Sequence, residues 1–179
     1  MALTFRPANT ADIPALHGLI ESGYRGDSAK RGWTHEADLL GGQRTDAETL
    51  AAIIADPEQT LIVAEAEDGA LHGCVLCADE GEEEGERVAY LGMLTVRPDL
   101  QSAGLGRQLI AAAEEHARSF GAGVMEMTVI KQRGELIDWY LRRGYRLTGR
   151  EEPFPLDDPR FGLPKTRDLV FLVLDKPLR

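Results

Sequence analysis

Gln101, Gly104 and Gly106 are the residues whose type and spacing speak most directly of chemistry. They sit in Val96-Arg97-Pro98-Asp99-Leu100-Gln101-Ser102-Ala103-Gly104-Leu105-Gly106. The apolar run before them, Tyr90 to Val96, ends at a proline, and the run after them repeats apolar residues at Leu105, Leu109, Ala113, Ala117 and Phe120. That pattern predicts strand, tight loop and amphipathic helix. Such a loop leaves backbone N–H groups unpaired at a helix mouth, where the helix dipole adds partial positive charge, and phosphate binds there. Spacing removes two phosphate-binding motifs. A dinucleotide fingerprint needs a third glycine where Leu109 stands, and a P-loop needs Gly-Lys-Ser/Thr where Gly106 is followed by Arg107-Gln108. An ordinary glycine-rich strand-to-helix turn is the alternative to a phosphate site.

The other candidate groups are weaker. Cys74 and Cys77 form a Cys-x-x-Cys pair, which in other settings binds metal or cycles a disulfide. They lie in a stretch, Leu71 to Ala78, that reads as a strand, so their side chains point to opposite faces and cannot meet at one ion or close a relaxed bridge. Buried structural thiols and no metal are expected. Six carboxylates crowd the eight residues from Asp79 to Glu86. Their mutual repulsion predicts a solvated hairpin loop, with a patch for a polyamine or basic tail as the sharper alternative.

The elements that must position these groups follow in order. Leu3 to Pro7 alternates and is ended by proline, and a helix from about Asp12 presents Ile13, Leu16, Leu19 and Ile20 on one face. Ser22 to Arg44, holding Trp33 and Glu36, reads as an ordered excursion. Thr45-Asp46-Ala47-Glu48 resembles a capping box opening a second helix that Asp56-Pro57 stops. Leu61 to Glu65 and Leu71 to Ala78 make a hairpin across Asp68-Gly69. After the long helix come a strand, Val124 to Val129, a helix, Glu135 to Arg143, capped by Gly144, and a strand from Tyr145. A proline-rich loop runs from Pro153 to Pro164, and a last strand, Leu169 to Leu174, closes the sheet.

The chain has 179 residues, 43% of them hydrophobic, and a net charge of −10. One domain over residues 1–179 is expected, and the acidity argues against nucleic acid while weakly favouring a cationic ligand. No apolar run approaches the length of a membrane span, which predicts a cytoplasmic protein that engages no membrane.

Val96-x-Pro98-x-x-Gln101-x-x-Gly104-x-Gly106 followed by a helix resembles the pyrophosphate-binding signature of the GNAT acyltransferase superfamily, which uses acetyl-CoA. Trp139-Tyr140-Leu141-Arg142-Arg143-Gly144-Tyr145 is similar to the family's second signature, and with both signatures in this order the resemblance extends over essentially the whole domain. The resemblance implies an α/β (α+β) fold: a mixed, mostly antiparallel central sheet with helices on both faces. It further implies that the strands ending near Val96 and Val129 splay apart, with the pantetheine arm of the cofactor in the gap.

By the same resemblance, the main chain from Gln101 through Ser102, Ala103, Gly104, Leu105 and Gly106 to Arg107 binds the pyrophosphate, and N–H groups of Leu94, Thr95 or Val96 hold the pantetheine and the thioester oxygen. Tyr140 matches the tyrosine that protonates the leaving thiolate; packing in the core is its plainer role, and Trp139 is expected to be core. The strand that carries a glutamate in some members has none between Val88 and Val96, so the base is left open between Glu126, Glu36 and water. Arg133 stands where the family often has Asn. The acceptor, a small-molecule or peptide amine, would lie between the Ser22 to Arg44 excursion and the Pro153 to Pro164 loop, with Trp33, Glu36 or Asp38 against it, in a monomer or homodimer. A non-catalytic acetyl-CoA-binding module is the competing reading.

Overall fold

Local sequence accounts for most element boundaries in the computed structural model, which describes residues 2–25, 37, 39–101, 103–159 and 162–179. Strand β1, Leu3–Pro7, lies at a sheet edge, where the missing N–H of Pro7 costs no ladder bond. Asn9 caps a short 3-10 turn that leads into α1, Ile13–Tyr24, which buries Leu16, Leu19 and Ile20. This helix runs through Tyr24, past the point where the sequence places the excursion.

Helix α2, Ala47–Ala55, is capped by Asp46, whose side chain accepts the Thr49 N–H. Thr45, expected as the cap, is buried instead, and its own N–H donates to Glu21 Oε1 at 2.8 Å. A two-residue strand, β2 at Leu40–Gly41, precedes α2. Strands β3, Gln59–Ala66, and β4, Leu71–Glu83, form the expected hairpin with Gly69 at φ 88°.

The acidic run is not a loop. β4 continues to Glu83, β5 covers Glu86–Val96, and only Glu84 and Gly85, with φ 52° and 83°, make the turn. Cations offset the crowding: Arg87 reaches Asp79 at 3.1 Å and Glu82 at 4.0 Å, and Glu86 pairs with Arg179. Helix α3 spans Leu105–Ser119, β6 Val124–Ile130 and α4 Gly134–Arg142, with Gly144 at φ 97° just beyond. β7, Arg146–Pro153, is longer than expected; β8, Leu163–Pro164, and β9, Val170–Pro177, follow.

Seven strands form one sheet in the order β1-β3-β4-β5-β6-β9-β7. Every neighbouring pair is antiparallel except β5–β6. α1 and α2 cover one face through Leu16, Ile20, Leu50 and Ile53 on Leu61, Val63 and Cys74. α3 and α4 cover the other through Leu105, Leu109, Ala113 and Ile137 on Val75, Leu91 and Met125. Cys74 and Cys77 belong to these two opposite cores, as alternation requires. β2 pairs with β8, which ties the end of the excursion to the proline-rich loop.

Candidate active site

The site is set by a divergence in the sheet. β5 and β6 pair only at Val88 with Val124, Ala89 with Met125 and Tyr90 with Glu126, yet they continue to Val96 and Ile130. Beyond Tyr90 their facing edges have no ladder partner among the described residues, and a Tyr90–Thr128 hydroxyl contact of 3.1 Å closes the narrow end. Opposite, β5 bulges against β4: Cys74 faces Thr95 and Leu76 faces Gly92, so Met93 and Leu94 together stand against Val75. Met93 takes a left-handed φ of 50°, uncommon for a residue with a side chain.

Past β5 the chain makes a 3-10 turn, Pro98–Leu100, and enters α3 through Gly104, whose φ of 87° suits glycine. The first helical bond joins the Gln108 N–H to the Gly104 carbonyl, so the N–H groups of Leu105, Gly106 and Arg107 have no acceptor within the helix. No side chain among the described residues caps this end. Gln101 donates from Nε2 to the Val96 carbonyl at 3.3 Å and so fastens the loop to β5. A Cβ on Gly106 would lie 3.2 Å from the Trp139 ring, so its glycine permits that ring to close on the loop.

Loop, bulge and α4 enclose a cleft of about 540 Å³. Arg107, Arg142 and Arg143 line it. Burial and the two neighbouring cations, Arg107 and Arg142, lower the Arg143 pKa. Arg143 also lies over the Trp139 ring at 5.0 Å. Bare helix-terminal amides plus clustered guanidinium groups make a cradle suited to the diphosphate of a nucleotide cofactor.

A second cleft, about 550 Å³, opens on the other side of the splay and is walled by both the Tyr24–Arg25 end of α1 and the Pro153–Pro155 segment. Tyr24, Leu94, Arg133, Leu136 and Tyr140 line both clefts and mark their junction. Tyr140 is 5% exposed and packs edge-on against Trp139 and Tyr145. Its hydroxyl has no hydrogen-bond partner among the described residues, unlike the satisfied hydroxyl of a core tyrosine such as Tyr145, which donates to Glu114 at 2.9 Å. Burial raises the Tyr140 pKa above the ordinary phenol value, so the ring stays protonated.

Of the residues singled out from sequence, Leu94, Thr95, Val96, Gln101, Gly104, Leu105, Gly106, Arg107 and Tyr140 all line the first cleft. Ala103 is exposed in the loop between them. Ser102, Trp33, Glu36 and Asp38 lie outside the described residues. Glu126 lines the second cleft but is engaged by Arg150 at 2.9 Å. Trp139, half-buried, packs against the core as expected and also walls the first cleft. Tyr24, Arg142 and Arg143 line it as well; the arginine pair beside Tyr140 is visible in the sequence, but nothing local marks Tyr24.

Among the described residues no group of three or more His, Cys, Asp or Glu could hold a metal ion. No helix among them is long and apolar enough to cross a membrane.

Known structures share this architecture. Nourseothricin acetyltransferase matches over 100% of both chains with TM-score 0.69 and 21% identity. The protein yncA of Salmonella typhimurium, solved with its cofactor acetyl-CoA, matches over 100% of this chain and 95% of its own with TM-score 0.70 and 20% identity. Ribosomal-protein-alanine N-acetyltransferase from Brucella melitensis matches over 98% and 99% with TM-score 0.69 and 22% identity. No curated protein matches the sequence. Residues 27–145, which include the bulge, the loop and Tyr140, match the family model described as "Acetyltransferase (GNAT) family". With that match added to a splayed sheet and an uncapped glycine-led helix, the chain belongs to the GNAT family of acetyl-CoA-dependent acetyltransferases.

Proposed function

We propose that residues 1–179 form a single N-acetyltransferase domain that moves an acetyl group from acetyl-CoA directly to a primary amine of a small molecule or protein, with Tyr140 as general acid. The observation that carries this reading is the hydroxyl of the buried Tyr140, without a hydrogen-bond partner among the described residues, at the junction of two clefts, one cationic and amide-lined, the other walled by Tyr24, Arg25, Arg44 and Pro153 to Pro155.

In this reading the amides from Gln101 to Arg107, with Arg142 and Arg143, hold the diphosphate and neighbouring phosphate of CoA. Leu94, Thr95 and Val96 hold the pantetheine arm. Acetyl-CoA supplies an activated acetyl thioester. The bulge N–H groups serve its carbonyl oxygen, which gains negative charge as the amine nitrogen bonds to carbon; losing one such donor costs roughly 10² to 10³ in rate. As the carbon–sulfur bond breaks, Tyr140 Oη delivers its proton to the sulfur, and the proton lost from nitrogen passes to solvent. Glu126, tied to Arg150, is less suited to that last task than water.

Replacing Tyr140 by Phe is expected to lower kcat about 10²-fold or more while CoA affinity stays within about twofold, the size typical of a lost general acid. Unchanged turnover removes Tyr140 from its role. Because the phenol pKa is raised, turnover should climb with pH as the amine deprotonates and show no Tyr140-dependent fall below about pH 10. A fall centred near neutrality that Tyr140→Phe abolishes would contradict this.

The absence of a carboxylate on β5 from Val88 to Val96 keeps a second reading open, a module that binds acetyl-CoA without turnover. Steady release of CoA thiol across a panel of amines separates the two. Tight CoA binding with no amine-dependent release would favour the module.

A further inference from the structure

Three side chains hold the carbonyls of the β5 bulge from one side. Thr95 Oγ1 donates to the Met93 carbonyl at 3.0 Å, and the Cys74 thiol approaches the same oxygen at 3.6 Å. Tyr24, the last residue of α1, donates from Oη to the Leu94 carbonyl at 2.7 Å. Cys74 and Tyr24 belong to the core on the α1 side, and Thr95 turns its methyl toward Gly23 of α1. Both carbonyls are therefore held toward α1. The Met93–Leu94 peptide is trans and planar, so the Leu94 N–H is turned away from α1, toward the first cleft, whereas Thr95 faces Cys74 in the β4 ladder.

Helix α1 is built for this approach. A Cβ on Gly23 would stand 2.6 Å from Thr95 Cγ2, a distance that β-branched, buried Thr95 cannot relieve by swinging aside. Glycine at this position brings the Tyr24 ring over the bulge. Arg44 and Arg133 stack on that ring at 4.9 and 6.0 Å, which fixes it in place.

We infer that Tyr24 is a positioning residue for acetyl transfer: its hydroxyl, with that of Thr95, locks the Met93–Thr95 peptides so that the Leu94 N–H aims at the thioester oxygen. This rests on the proposed acetyltransferase reading, because it assigns that oxygen to the bulge. A left-handed Met93 beside an open strand edge has no ladder to hold it, and preorganised donors act only if they do not turn during reaction. The three side-chain bonds replace the missing ladder.

The test measures, for Tyr24→Phe, Thr95→Val and Thr95→Ser, the melting temperature, the affinities for CoA and for acetyl-CoA by calorimetry without amine, and kcat with an amine that the native protein acetylates. In Tyr24→Phe, CoA affinity should stay within about twofold and melting within a few degrees, while the preference for acetyl-CoA over CoA disappears and kcat falls at least tenfold. Thr95→Ser should recover most of what Thr95→Val loses, since it restores the hydroxyl. Loss of CoA affinity and melting temperature in step with kcat would reduce Tyr24 to a packing role and overturn the inference. So would a Tyr24→Phe protein with native kcat and native acetyl-CoA preference. If the native protein acetylates no amine, the acetyltransferase reading fails, and the acetyl-CoA preference still decides whether Tyr24 aims the bulge.

Discussion

At the residue scale, single atoms decide whether the cleft can take a diphosphate. Gly104 has a left-handed φ and a Cβ there would meet nothing closer than the Arg107 guanidinium at 3.9 Å, so space alone does not demand glycine; backbone angle does. Gly104→Glu should abolish CoA binding, because it adds strain and places a carboxylate where the phosphates are to lie. Calorimetry with CoA checks this, and retained binding would move the cofactor elsewhere. Burial pushes both the Cys74 and Cys77 thiols up to about 12, so neither is a thiolate at pH 8. An aromatic disulfide reagent should therefore find no reactive thiol in the folded protein and two after denaturation, which leaves released CoA as the signal in the turnover assay. Since both pKa values rise on folding, their contribution to stability is whole below the ordinary thiol pKa and is lost as pH climbs toward the folded value.

At the element scale, function depends on how α1 meets β5. Helix α1 ends in Gly23 and Tyr24 against Thr95 and Leu94, and Glu21 in its last turn accepts the N–H groups of Arg44 and Thr45 at 2.6 and 2.8 Å. The same turn thus holds both the bulge and the return of the excursion. Gly23→Ala should force the helix outward, destabilise by about 1–3 kcal/mol through overpacking, and lower kcat by separating the Tyr24 hydroxyl from the Leu94 carbonyl. Chemical denaturation beside turnover gives both numbers, and native kcat in the Gly23→Ala variant would show that α1 need not approach so closely.

At the scale of the whole molecule, the two arms of the splay must stay apart while their roots stay joined. Glu114 of α3, 6% exposed, gathers three elements at the closed side. It accepts from Tyr145 just past α4 at 2.9 Å and from Lys176 of β9 at 3.0 Å with each oxygen. Glu114→Ala would strand a half-buried ammonium and an unpaired phenol, and a loss of about 3–5 kcal/mol is expected, as for other broken buried ion pairs. A melting temperature close to native would show that solvent reaches Lys176 and replaces the carboxylate.

Spacing within one stretch carried much of this protein by itself. The strand, the glycine-led loop and α3 are local in sequence, and their phosphate-binding geometry follows from backbone angles and unpaired amides that neighbouring residues determine. Alternation likewise placed Cys74 and Cys77 on opposite faces without reference to the rest of the fold. What tertiary structure alone decided is where distant segments meet. Tyr24 and Leu94 are 70 positions apart. The acidic run became strand because Arg87 and Arg179 stand opposite its carboxylates. Trp139, packed on the core, also reaches the loop because Gly106 leaves room for its ring. Local pattern fixes backbone conformation within a few residues, whereas the partner of a side chain is set by packing of the whole sheet, and no spacing along the chain encodes that distance.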